Sequence, residues 1–439
     1  MDRACSNLSV SDNGRYLVKE DGTPFFWLGD TAWELFHKLT REEADFYLRR
    51  RAEQGFTVVQ AVALAEMEGI TEPNAYGYRP LKQNAEGQYD PLLPDTASEP
   101  GGEDYWTHVD DIVDRAASLG IYIAFLPTWG DKYNVAWGKG PVIFDRNNAK
   151  AFGKWLGERY RDRSNLLWVV GGDRPLTEFS HFEVNRGLAE GLREGDGGRH
   201  LITFHPPGGF SSSHHVHRET WLDFNMIQSG HGDHVQNNYT HVMSDYGKLP
   251  VKPTLDAEPC YEDHPRGFNA ENGYFDDADV RKAAYYALFS GAFGHTYGHH
   301  SIWAMTTEPA DYFIMHWKDA VDRPGAMQMR FVRELIESKP QLERVPDQSL
   351  LADNYKGANH MRACRGEGYA WIYSPHGLNM NVAMGRIAGT QVHASWFNPR
   401  TGERTAVGIR ENAGTQSFQP PSSGRGDDWV LVLDTEAAG

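Results

Sequence analysis

The chain reads WVVGGDRP at 168–175 and VKPTLDAEPCYE at 251–262. Each stretch is a short apolar run that stops at acidic residues, the pattern of a buried β-strand ending in a carboxylate. Two glycines precede Asp173 and allow close approach of backbone or ligand, while Pro259 ends the second run just after Glu258. Catalytic groups of (β/α)₈ barrels stand at the C-terminal ends of different strands, and hydrolysis of a glycosidic bond needs a pair of carboxylates. The two strand ends therefore predict an α/β fold, a (β/α)₈ TIM barrel, with Asp173 as acid/base and Glu258 as nucleophile of a sugar-cleaving site. Asp256 and Glu262 read as supporting acids. Alternation points Asp256 and Glu258 the same way if the strand runs that far, and Arg281 on the next helix is a candidate partner for Glu262.

Working outward, strand patterns recur at 25–33, 57–64, 121–129, 166–173, 200–208, 224–232, 251–259 and 294–303, most of them separated by helical periodicity. Strand, loop and helix repeated in this way predict a closed parallel sheet. Thr40 with Glu43 has capping-box spacing ahead of one helix, and Asp277 or Asp279 is the expected N-cap of another. Residues 8–26 read as a hairpin with turns at Asn13-Gly14 and Asp21-Gly22, capping one end of the barrel, and a long loop runs from Ala65 to about Asp104. Beyond Pro340 the pattern changes to short alternating strands (YAWIYSP, NMNVAMG, QVHASWFNP, DDWVLVLD) with no helix signal, which predicts a small antiparallel β-sandwich. The expected domains are a barrel with its hairpin over 1–340 and a sandwich over 341–439.

The 439 residues exceed the roughly 250 of a typical barrel and leave room for that second module. A net charge of -17 argues against nucleic acid or an anionic membrane as partner and favours a neutral, polyhydroxylated substrate. The 13 Trp and 20 Tyr, many beside Gly and polar residues, suit a cleft in which sugar C–H faces pack on rings. Cys5, Cys260 and Cys364 are widely spaced and suggest reduced thiols. With no signal-peptide core at the N-terminus and no run of about 18 apolar residues, a cytoplasmic location is expected, or a secreted one if a leader has been trimmed. No cofactor is called for.

Strand-end position makes Asp30, Trp33, Glu66, Trp129, His205, Gln228, Tyr261, Tyr297, His299 and Trp303 candidate substrate contacts, with Trp129 and Trp303 as sugar platforms. A rival signal lies in His214, His215, His217, His231, His234, His295, His299 and His300, which could ligate the metal of a barrel hydrolase. Against it, GDTAW stands after the first strand where an H-x-H would be expected, so no metal is assigned. A carbohydrate-binding barrel without turnover is a further alternative.

GDTAW at 29–33, GGD at 171–173, HPPGG with SSS at 205–213, EPCYE at 258–262, GHTYGHHSIW at 294–303 and WFNPRTGE at 396–403 together resemble the apiosidase-like glycoside hydrolases of family 140, which carry a C-terminal collagen-binding-type domain. The resemblance implies Asp173 and Glu258 as the catalytic pair and apiose-bearing pectic side chains as substrate. It implies nothing about collagen itself, because that domain is named by analogy. Most barrel glycosidases of similar plan carry Asn-Glu after the fourth strand, and this chain has Gly-Asp there. Without a visible leader, an enzyme acting on imported oligosaccharides or plant glycosides is the expected form.

Overall fold

A computed structural model describes residues 5–99, 101–232 and 237–435. Eight parallel strands form the barrel: β1 (Trp27–Thr31), β2 (Val58–Leu64), β3 (Tyr122–Thr128), β4 (Leu166–Gly171), β5 (Ile202–His205), β6 (Asn225–Gln228), β7 (Thr254–Asp256) and β8 (Gly294–Tyr297). Their ladder order is β5-β4-β3-β2-β1-β8-β7-β6. Between β5 and β6 the seam is held by Asp223 N–H donating to Ile202 O at 2.9 Å and Thr203 Oγ1 donating to Phe224 O at 2.7 Å. All eight strands fall within the stretches that the sequence marks.

Alternation sorts each strand between two environments. Val58, Val62, Ala124, Leu126, Leu167 and Val169 fill the barrel interior with Trp27, whereas Val59, Ala61, Ile123, Phe125, Trp168 and Val170 face the helices. The principal helices are α1 (Arg41–Glu53), α2 (Tyr105–Ser118), α3 (Arg146–Tyr160), α4 (Phe179–Asp196), α5 (Tyr239–Tyr246), α6 (Asp277–Leu288) and α7 (Pro324–Glu337). Helix α1 has the expected capping box between Thr40 and Glu43. Helix α6 is capped by Asp276, not Asp277 or Asp279, because the Asp276 carboxylate accepts from the backbone N–H groups of Ala278 and Asp279. No helix of the described residues is long and apolar enough to cross a membrane.

Two segments are richer than expected. The N-terminal hairpin is a three-stranded sheet (Leu8–Val10, Leu17–Lys19, Pro24–Phe25), with Phe25 packed on Tyr122 of β3 at 4.8 Å between ring centroids. The long loop after β2 contains an antiparallel pair, Leu81–Gln83 with Tyr89–Pro94.

At the C-terminal end, a six-stranded antiparallel sheet and a two-stranded one (Met380–Ala383, Thr415–Phe418) face each other. In the central strand Tyr369–Ser374, Ala370 and Ile372 face the small sheet while Tyr369, Trp371 and Tyr373 pack on α6 and α7. The neighbouring strand Trp429–Asp434 divides likewise, with Leu431 and Leu433 on one side and Val430 and Val432 on the other. Both strands are buried throughout because both faces of the sheet are covered.

Arg281 is not the partner of Glu262. It lies on the outer side of α6, where Nη2 donates to Asp428 Oδ1 at 2.8 Å and Nη1 donates to Asp277 Oδ2 and Gln328 Oε1. The guanidinium is 1% exposed and Asp428, beside the last strand, is 2% exposed in its side chain. Removing one member of such a pair leaves a buried uncompensated charge, a loss of about 3–5 kcal/mol. Arg281→Leu is expected to lower the midpoint of thermal unfolding sharply. An unchanged midpoint would mean that this pair does not fasten the two layers.

Candidate active site

The site is made where β4 turns out of the sheet and β7 stops alternating. After β4, Gly171, Gly172 and Asp173 adopt φ of 97°, 108° and 53°. A Cβ on Gly171 would stand 2.5 Å from His205 O, and one on Gly172 2.7 Å from Gly130 N, so neither position has room for a side chain. Asp tolerates the left-handed region better than most residues, and this turn carries the Asp173 carboxylate into the barrel mouth. After β7 the backbone N–H groups of Ala257 and Glu258 both donate to Ile227 O, at 2.9 and 3.2 Å. One acceptor serving two successive residues breaks the register. Asp256 and Glu258 therefore do not share a direction: Asp256 is held outside the barrel core by Ser229 and Asn238, and Glu258 enters the mouth.

The two carboxyl groups have opposite electrostatic settings. Burial opposes the charge of Glu258, yet His205 Nε2 at 2.8 Å and His231 Nε2 at 3.3 Å hold its pKa down to about 2. Burial and the charge of Glu258 push the Asp173 pKa above the ordinary carboxylate range, against the opposing pull of Arg174 and His205. Trp137 Nε1 and Arg174 Nη1 both donate to Asp173 Oδ2, at 3.1 and 3.0 Å. His205 touches both acids, because its Nδ1 accepts the Asp173 backbone N–H at 3.3 Å. A neutral ring bonded in this way carries its proton on Nε2, the side facing Glu258.

Both acids line a cavity of about 790 Å³. Of the expected contacts, Trp33, Glu66, Trp129, Gln228, Tyr261 and Trp303 line it, and His205 lies beneath, 5.3 Å from the Trp33 ring and 5.5 Å from the Trp129 ring. Asp30, Tyr297 and His299 are not in the lining. Asp30 faces away from the barrel interior and receives Tyr47 Oη and Arg51 Nε, each at 2.5 Å. Tyr297 also faces outward and donates to Glu262 Oε2 at 2.6 Å. His299 is fully buried, with Nε2 3.0 Å from Asp263 Oδ2 and Nδ1 accepting from Ser301 N. Glu262 is held by Tyr297 and the Gly325 N–H at the start of α7, and its pKa is pushed up to about 7 by burial. For Asp256 burial has the same effect, to about 6.

Sequence reasoning passes over Trp137, Phe210, His264, Phe268 and Tyr312, which also line the cavity. Apart from Phe210, in a two-residue strand after β5, and Phe268, at the end of a three-residue 3-10 turn, they lie on loops, and none stands in an element long enough for periodicity to mark a facing side chain. Two of the candidate metal-ligating histidines, His231 and His300, lie against His264, each 4.2 Å from it, and others are engaged elsewhere. His217 bonds Asn225 and Pro250 O, and His299 bonds Asp263. His234 lies outside the described residues. Among those described, no group of three or more His, Cys, Asp or Glu is placed to hold a metal.

Because a Cβ at position 172 must displace backbone, Gly172→Ala is expected to reduce kcat with little change in far-UV circular dichroism. Retention of full activity would show that the turn after β4 does not set the position of Asp173.

Residues 11–343 match the family model "Apiosidase-like, catalytic domain", and residues 345–434 match "Putative collagen-binding domain of a collagenase". A crystal structure of a family 5 glycoside hydrolase from Bacteroides vulgatus is similar, with 34% identity, a TM-score of 0.89, and coverage of 98% of this chain and 93% of that one. A second structure, named as a glycoside hydrolase, has 33% identity and a TM-score of 0.88 over 99% and 98% of the two chains. An endo-1,4-β-mannanase from Rhizomucor miehei, 12% identical with a TM-score of 0.53 over 76% of this chain and 100% of that one, shares the fold alone. No curated protein sequence matches. With a family model spanning the barrel and a relative above 30% identity over nearly the whole chain, this protein belongs to the apiosidase-like family of glycoside hydrolase folds.

Proposed function

We propose that the protein is a retaining glycosidase of apiose-bearing or related plant oligosaccharides and glycosides, with Glu258 as nucleophile and Asp173 as acid/base. The observation that carries this reading is the pairing, in one cavity, of a carboxylate held ionised with another pushed toward its protonated form. Two carboxyl groups whose environments separate their pKa values divide the roles of nucleophile and acid. Glu258 attacks the anomeric carbon while Asp173 protonates the departing oxygen. Asp173 then takes a proton from water as the water attacks the glycosyl ester. Trp129 and Trp303, both in the cavity wall, serve as platforms for sugar faces.

The test is product release from aryl furanosides, aryl pyranosides and apiose-bearing oligosaccharides, with the first-formed anomer read by NMR. Glu258→Gln is expected to abolish turnover. Asp173→Asn is expected to lose about 10²- to 10⁴-fold on poor leaving groups and less on activated ones. Inverted product would overturn the nucleophilic role of Glu258, and full activity in either variant would overturn the pairing.

In wild type the pH profile of kcat/KM should be bell-shaped. Activity is lost on the acid side as Glu258 takes up a proton, and on the basic side as Asp173 gives its proton up. With Glu258 held down to about 2, the acid limb should lie well below the ordinary carboxylate range. An acid limb near neutrality would exclude Glu258 as the group that must be ionised.

A further inference from the structure

An acid that must hold a proton has a guanidinium nitrogen 3.0 Å from its carboxylate: Arg174 Nη1 donates to Asp173 Oδ2 and, at 2.9 Å, to the backbone Asp173 O. A cation at that distance favours the ionised carboxylate and works against the acid role. Arg174, however, is shared. Its Nη2 donates to Glu66 Oε1, its Nε donates to Trp137 O at 2.9 Å, and its Cζ lies 4.6 Å from the Trp137 ring centroid. The guanidinium is 0% exposed, and the Glu66 side chain reaches it from the loop after β2 while 22% exposed to the cavity.

We infer that Glu66 is a positioning residue, the counter-charge that keeps Arg174 from acting as full counter-ion to Asp173 and so sets the pH at which the acid loses its proton. The inference rests on the reading of Asp173 as acid/base. One cation serving two carboxylates attracts each less strongly than it would a single one, and the Glu66 charge itself disfavours a second negative charge on Asp173. Asp131 also acts on Arg174 from a distance, with its own carboxylate bound by Lys132, and Glu66 is the carboxylate besides Asp173 that accepts directly from the guanidinium. Asp173 is faced by Glu258 from β7, His205 from β5 and Arg174 from its own loop. Glu66 is faced by Arg174, Asp173 and Asp131. The nearby Lys132 ammonium is turned to other partners, the Asp131 carboxylate at 2.9 Å and the backbone oxygens of Gly140 and Glu66. Lys139 is bound to Glu68 at the rim. Burial reinforced by Asp173 and Asp131 raises Glu66 itself, against Arg174, consistent with carboxylates competing for one cation.

The arrangement suits both halves of the proposed cycle. While Glu258 is ionised, two neighbouring negative charges favour the protonated Asp173. Once Glu258 is esterified its charge is gone, and the shared guanidinium supports the Asp173 carboxylate as a base.

The experiment is the pH dependence of kcat and KM for Glu66→Gln, Glu66→Asp and Asp173→Asn in the full chain, on an aryl glycoside that the wild type hydrolyses. Glu66→Gln leaves Asp173 as the carboxylate bonded directly to Arg174, so the basic limb of kcat/KM should move to lower pH by roughly one unit. Glu66→Asp should fall between wild type and Glu66→Gln, and if Glu66→Gln does not fold, the smaller shift in Glu66→Asp decides. A basic limb that stays in place overturns the inference, whether KM rises, as for a direct sugar contact, or kcat falls evenly at all pH, as for a merely structural role. Asp173→Asn separates the two readings. Persistence of the basic limb in that variant overturns Asp173 as the acid. Its disappearance there with no shift in the Glu66 variants overturns only the inference about Glu66.

Discussion

A barrel strand that must fill the interior with one side chain and meet a helix with the next has no freedom in where its last side chain points. The site depends on a turn at one strand end and on breaking that rule at another. Three consecutive positive φ values turn the chain after β4, and a doubled use of Ile227 O shifts it after β7. Asp173 shares the inward parity of Val169 and Gly171, and the turn sets where in the mouth its carboxylate stands. Without the shift after β7, Glu258 would point with Asp256 toward the outside of the barrel. The convergence of the two acids on one cavity combines the inward parity of Asp173 with a departure from the period-two backbone at Glu258.

Once the acids converge, their neighbours divide their behaviour. Glu258 stands between two imidazole nitrogens, and Asp173 stands between a buried guanidinium and an indole N–H. His205 joins the two halves, taking the Asp173 backbone N–H on one nitrogen and facing Glu258 with the other. The turn that aims Asp173 and the group that holds Glu258 are thus mechanically linked through one fully buried ring.

The barrel is legible in the sequence because each strand combines an apolar run with a chemical stop, and the capping box at Thr40 and Glu43 needs only local spacing. The two acids of the cavity, Asp173 and Glu258, are legible as strand-end carboxylates for the same reason. Facing direction is less so: Asp30 and Tyr297 are strand-end residues, yet their parity sends them to Arg51, Tyr47 and Glu262. For Arg281 the failure is one of range, since Asp428 lies 147 residues further along the chain, while Glu262 is near in sequence and turned elsewhere. Trp137, His264 and Tyr312 reach the cavity from irregular loops, where backbone path rather than residue type decides what is faced.

The doubly covered sheet at the C-terminal end has a consequence for recognition. With Tyr369, Trp371 and Tyr373 pressed on α6 and α7 and Ala370 and Ile372 against the small sheet, the central strands of that sheet are covered on both faces. What the module does offer to solvent is an edge, the strand Arg404–Glu411, whose residues are exposed or half-exposed along its whole length. The aromatic rings of its central strands serve as a foundation for the barrel rather than as a surface for guests.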